Sequence, residues 1–333
     1  MRYSIKLSYA GSGFRGWQRQ PSDPSVQQCL EEALGRLLGT EIPVIGAGRT
    51  DTGVNAIGYV ACFDGPAGLA AEDFRYKLNA ILPRTVVVNS ISEAAPDFHA
   101  RFDAVRREYT YFLHRSKDPF VEAFSWQCGY PGLDFDAMNQ AAAALVGTHD
   151  FSCFEKVGAD NKTSVCTVFE AFWQPYTPSH VQIMGEVGAA PSTAAGKGPV
   201  CVPQGDPGTC IARPYDADFC SGTAPSSAAG KGQVRVPQGD PGTCIARPYD
   251  AFAGAVPELQ YWYFRISADR FLRNMVRAIV GTLIDVGRGK RSIADFAELV
   301  LPVPALPVRK PPLRSLAGES VPGHALFLSK IEY

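Results

Sequence analysis

The first ninety residues switch between the period of a strand and the period of a helix in an order that few folds accept. Tyr3, Ile5, Leu7 and Tyr9 alternate with Ser4, Lys6 and Ser8, as a half-buried strand requires. Ser25 and Gln28 read as a capping box. Val26, Leu30, Ala33, Leu34, Leu37 and Leu38 then form a helical stripe, which Gly39 stops. Residues 42–45 make a short strand, and Ile57, Tyr59, Ala61 and Phe63 mark another. Residues 74–82 read as a helix ended by Pro83, and 85–91 as a fourth strand. The order is βαββαβ, the ferredoxin-like unit.

The same order returns later, with strands at 108–113, 164–173, 261–267 and 325–331 and helices at 135–146 and 271–286. The expected class is α+β, with two ferredoxin-like units sharing one broad, mostly antiparallel sheet around a central cleft. Residues 1–100 would be the first half and 101–333 the second. A duplicated stretch interrupts the second half within about 176–257. Residues 191–217 and 225–251 are nearly identical, differing only at Thr193/Ser227, Pro199/Gln233 and Cys201/Arg235. Two copies are too few for a solenoid. A surface insertion made by duplication fits best, with an RNA- or protein-contacting arm and a small β-rich element as alternatives.

Composition narrows the function classes. With 32 basic and 33 acidic residues the net charge is −1, so any nucleic-acid surface must come from local clustering of Lys and Arg. No apolar run approaches the roughly 18 residues of a membrane span, and the start of the chain has no signal-peptide layout. The nine cysteines are scattered and form no CxxC pair, which points away from zinc and toward a reduced, cytoplasmic protein.

The segment Gly46-Ala47-Gly48-Arg49-Thr50-Asp51-Thr52-Gly53 lies between two expected strands. Its glycines allow tight turns and close approach of the backbone to a ligand. By composition alone an active-site loop and an ordinary turn with a solvated ion pair fit equally well. No third glycine stands at the dinucleotide-binding spacing, because Asp51 occupies that place. Gly196-Lys197 and Gly230-Lys231 lack the Ser or Thr of a P-loop.

Several motifs, taken in order, are more specific. Gly48-Arg49-Thr50-Asp51-Thr52-Gly53-Val54-Asn55-Ala56 resembles the GRTDxGVHA signature of the tRNA pseudouridine synthase A family. Phe14-Arg15-Gly16-Trp17-Gln18, Phe98-His99-Ala100-Arg101-Phe102, Arg107-Glu108-Tyr109-Thr110-Tyr111, Gly147-Thr148-His149-Asp150-Phe151, the 271–281 stretch and Ala325-Leu326-Phe327-Leu328 resemble further family segments in family order. The resemblance covers nearly all of the chain except the duplicated insert.

That resemblance implies the pseudouridine synthase fold and isomerisation of uridine to pseudouridine in the tRNA anticodon arm, with no cofactor and no metal. It assigns Asp51 as nucleophile, Arg277 as its cationic partner and Tyr109 as the active-site tyrosine, able to stack on uracil and to serve proton transfer. A neighbouring cation favours the ionised form that a nucleophilic carboxylate needs. Arg49 would contact RNA or hold the flipped base. Arg15, Arg101 and Arg107, with Arg19, Arg270 and Arg273, are candidates for phosphate contacts, and Leu326 for substrate binding. The expected partner is tRNA, the expected assembly a homodimer, and no membrane is involved. Asn55 stands where the family usually has histidine, and unlike histidine it cannot carry a proton charge. A tRNA-binding protein impaired in catalysis by Asn55 or by the insert is the main alternative. A carboxylate-based hydrolase is disfavoured, because no second catalytic carboxylate or Ser/His constellation is evident.

Overall fold

The computed structural model describes residues 1–156, 158, 163–182, 260–303 and 314–333. From residue 183 onward, the expected insert lies outside the described residues. Met1–Met184 and Pro257–Tyr333 belong to one compact unit.

The chain runs β1 (Arg2–Tyr9), α1 (Val26–Leu38), β2 (Ile45–Gly46), β3 (Asn55–Asp64), α2 (Ala71–Ile81) and β4 (Val86–Glu93). It continues through β5 (Arg106–His114), β6 (Trp126–Gln127), α3 (Phe135–Ala143), β7 (Gly147–Asp150) and β8 (Val165–Pro175). Then come β9 (Tyr261–Ala268), α4 (Met275–Gly287), α5 (Ile293–Ala297), β10 (Leu301–Pro302) and β11 (Leu326–Glu332). The fold is α+β with one large, mostly antiparallel sheet in the order β10-β7-β8-β9-β5-β11-β3-β1-β4, with β2 on β3 and β6 on β5. The last strand joins the early and late parts of the chain. β11 lies antiparallel to β5 and parallel to β3, where Phe327 and Leu328 face Asn55 and Ala56.

Alternation along β1 delivers Tyr3, Ile5, Leu7 and Tyr9 to the core, each almost fully buried. The stripe of α1 meets them through Val26, Leu30, Ala33 and Leu34. Burying each of these larger aliphatic side chains stabilises the fold by about 1.5–3 kcal/mol. Gly39 ends α1 in the left-handed conformation, at φ 71°, with its N–H on the Gly35 carbonyl. The capping box is only half formed. Ser25 accepts from the Gln28 N–H, but the Gln28 side chain turns away to Glu32 at 2.9 Å.

Other boundaries differ from expectation for local reasons. β2 shrinks to two residues although Ile42 and Val44 are buried. Helix α4 begins at Met275 and not at Phe271, because Asn274 sits in the left-handed region at φ 66°. Its side-chain amide donates to Ser320 Oγ at 2.6 Å, which repays a conformation that Asn tolerates better than most residues. The helix expected over 135–146 closes at Ala143, and Gly147 opens β7.

Candidate active site

The Asp51 loop connects β2 to β3 and is stitched down along its length. Ala47 donates to the Val60 carbonyl at 2.9 Å. The hydroxyl of Tyr59, a fully buried residue, donates to the Gly48 carbonyl at 2.5 Å. Thr50 is held by its hydroxyl against that of Tyr9 at 2.9 Å, and its carbonyl accepts from Trp17 N–H at 3.2 Å. Trp17 stacks on Tyr59 with ring centroids 4.1 Å apart, so the Phe14–Gln18 motif forms the floor of the loop. Gly16, at φ 95°, permits this contact, because a Cβ there would collide with the Thr50 carbonyl oxygen. The loop is thereby rigid in its backbone while the Asp51 carboxylate stays partly exposed.

The carboxylate meets Arg277, from the late part of the chain, and its charge is felt by Tyr109 on β5. Arg277, one turn into α4, brings Nη1 to 3.8 Å from Asp51 Oδ2. Its Nε donates to the Val321 carbonyl at 2.7 Å, and Val321 N–H returns to the Arg277 carbonyl at 3.2 Å. Gly281 makes this possible, since a Cβ there would run into the Glu319 carbonyl and push the 319–321 segment off the helix. Tyr109, on β5, presents its ring edge-on to Phe271, with centroids 5.0 Å apart. Burial raises its pKa, Asp51 adds to the rise and Arg107 opposes it, so the phenol keeps its proton. Among the described residues its hydroxyl has no hydrogen-bond partner. Tyr111, on the same strand face, is wholly buried and its hydroxyl is likewise unpartnered among the described residues.

The other expected residues divide by position. Arg49 is exposed on the loop beside Asp51. Arg15 is exposed and lies 3.5 Å from Asp23, and Arg101 is exposed on a turn before β5. Arg107 is committed to backbone. Its guanidinium donates to the carbonyls of Ala47 at 3.0 Å, Arg101 at 2.7 Å, Asp269 at 2.8 Å and Ala104 at 3.3 Å. Leu326 is buried opposite Tyr111. Asn55 is a buried brace: its Oδ1 accepts from Gly11 N–H at 2.8 Å and its Nδ2 donates to the His324 carbonyl at 2.6 Å. Sequence reasoning missed the bracing by Arg107. The only hint was its i, i+2 spacing from Tyr109, which puts both on one strand face.

A glycine-rich loop that presents a carboxylate to an arginine and a buried tyrosine, on a mixed sheet, now has counterparts to set beside it. The family model described as tRNA pseudouridine synthase matches residues 7–103 and 141–333. The chain belongs to the tRNA pseudouridine synthase family, a family of isomerases. Within that family it is similar to proteins named tRNA pseudouridine synthase A. That of Porphyromonas gingivalis is 36% identical over 334 residues, covering 100% of this chain and 97% of the relative. That of Bacteroides fragilis is 34% identical, covering 100% and 96%. That of Bacillus subtilis is 31% identical over 337 residues, covering 100% and 99%. Among the described residues no helix is long and apolar enough to cross a membrane.

Proposed function

We propose that this chain isomerises uridine to pseudouridine in the anticodon arm of tRNA, with Asp51 as the nucleophile. The observation that carries this reading is the Asp51 carboxylate of the β2–β3 loop standing 3.8 Å from the Arg277 guanidinium of α4, with the buried Tyr109 of β5 close enough for its phenol to feel the carboxylate's charge. In the reaction the N1–C1′ bond breaks and a C5–C1′ bond forms. C5 loses a proton and N1 gains one, so the balance calls for no oxidant, reductant or carrier. A carboxylate that bonds transiently to the substrate splits one hard step into two easier ones. Two points of attack are open to it, the sugar C1′ and the uracil ring. Arg277 aims the carboxylate.

Tyr109 lies against the uracil face, and its protonated hydroxyl donates or relays a proton. The target base must leave the stack before its glycosidic bond is accessible, and the exposed Arg49 holds it out. Arg15 and Arg101, both exposed, meet phosphates. Arg107 acts as a positioning residue, since its donors are spent on the loop and its neighbours. Leu326 forms part of the apolar wall beside Tyr111. Asn55 replaces the family histidine in a bracing role, which supports the active enzyme over a catalytically impaired binder.

The chain also reads as two related halves, 1–100 and 101–333. The strand orders β4-β1-β3-β2 and β11-β5-β9-β8 support this, each being the ferredoxin-like order. A homodimer is supported by partly exposed aromatics on the sheet face opposite Tyr109, where Phe112 packs with Tyr263 and Phe327. The cytoplasm is the proposed location. To test the activity, unmodified tRNA transcripts are incubated with the purified chain and pseudouridine is mapped along them. New pseudouridine in the anticodon arm is expected; none there contradicts the reading.

A further inference from the structure

Phe102 is 74% exposed although it lies in a tightly held turn. Isolated exposed aromatics are common and need no explanation, but this one is not isolated. The His99 ring lies behind it at 4.3 Å with planes 31° apart, and the Arg101 guanidinium stands 5.7 Å from its centroid. The turn is rigid. His99 Nδ1 accepts from the N–H groups of Arg101 and Phe102 at 3.2 and 3.3 Å, and Asp103 Oδ2 accepts from His99 N–H at 2.8 Å. Tyr333 donates its hydroxyl to the Ala100 carbonyl at 2.8 Å. Arg107 joins this turn to the catalytic loop, because one nitrogen, Nη2, donates both to Arg101 O and to Ala47 O.

A fixed aromatic face with a guanidinium at its side is the chemistry that holds single-stranded bases. A rigid ring loses little conformational entropy on contact, which makes it a better platform than a mobile one. We infer that Phe102, flanked by Arg101 and backed by His99, is a stacking platform for an unpaired nucleobase of the RNA substrate, held in register with the Asp51 loop by Arg107. This inference rests on the tRNA-modifying reading given above and adds a subsite to it.

The test measures equilibrium binding of an unmodified tRNA transcript, independently of turnover. Phe102→Ala removes the ring, Phe102→Leu keeps apolar bulk without a π face, and Phe102→Trp keeps the face. Because the side chain is exposed, all three should fold. Stacking predicts binding weaker by about 5- to 100-fold in the Ala and Leu variants and retained in the Trp variant. It also predicts that 2-aminopurine placed in the anticodon loop is quenched by the wild-type and Trp proteins and not by the Ala protein. Wild-type binding in Phe102→Ala overturns the platform, as does a Trp variant as weak as Ala, and so does a wild-type protein that binds no tRNA. Weakened binding in the Ala and Leu variants alone, in a chain that forms no pseudouridine, would keep the platform and sink the catalytic reading. Unchanged binding in Phe102→Ala, in a chain that does form pseudouridine, would do the reverse.

Discussion

Arg277 is fixed at one end and loose at the other with respect to Asp51: Nε donates to the Val321 carbonyl at 2.7 Å, while Nη1 stands 3.8 Å from Asp51 Oδ2. The backbone bond sets the direction of the guanidinium, and the pair with the carboxylate is loose, as the proposed attack of Asp51 on a substrate carbon requires. A lysine has no planar fork and cannot serve both partners in this geometry.

Arg277→Gln should therefore lower kcat by about 100-fold, the scale of losing one aligned electrostatic group. Arg277→Lys should recover part of the loss and no more. Single-turnover rates on tRNA check this, and a Lys variant at the wild-type rate would show that charge alone is enough.

Tyr109 offers a ring and a hydroxyl that substitution can separate. Tyr109→Phe keeps the edge contact with Phe271 and removes only the proton donor. It should bind tRNA like wild type and lose about 100- to 10,000-fold in rate. Tyr109→Leu should lose binding as well. A Phe variant at full rate would reduce this residue to a stacking surface.

The pH dependence of stability has a defined source in His114. The ring is wholly buried, with Nδ1 2.9 Å from Ser125 Oγ and Nε2 3.3 Å from Glu122 Oε2. Burial lowers its pKa below the ordinary 6.5 and His324 contributes in the same direction, outweighing Glu122 and Asp118, which favour the charged ring. The unfolded chain therefore takes up this proton first as pH falls. Stability from the neutral ring is complete above about pH 6.5 and is lost as pH drops toward the lower folded-state value. Thermal midpoints should fall on acidification from neutral pH, and His114→Asn should flatten that slope. Equal slopes in the two proteins would contradict this assignment.

Much of this architecture is legible before any coordinates. Strand β1 and helix α1 declare themselves because their apolar spacing, the Ser25 cap and the Gly39 stop all agree. Asp51, Tyr109 and Arg277 stand out through ordered motifs, not through any property of each residue alone. What stayed hidden depends on contacts distant in sequence. Strands β6 and β10 are two residues long and exist only through their pairing. The late start of α4 follows from Asn274 bonding Ser320 across a separate segment. Arg107 reads as a phosphate contact because it is one of several arginines flanking the motifs, and nothing local announces that four carbonyls surround it. Asn55 reads as a lost proton carrier, while its amide joins Gly11, just after β1, to His324 in the segment that leads into β11.

The central claim rests on one oxygen pair, and a change of oxygen to nitrogen tests it. Asp51→Asn preserves size and leaves the stitched loop backbone in place. With enzyme in excess over unmodified tRNA, pseudouridine is measured over long incubation beside tRNA affinity and thermal midpoint. The account predicts a variant that melts and binds tRNA like wild type and forms no pseudouridine. Pseudouridine at the wild-type rate from Asp51→Asn would contradict it.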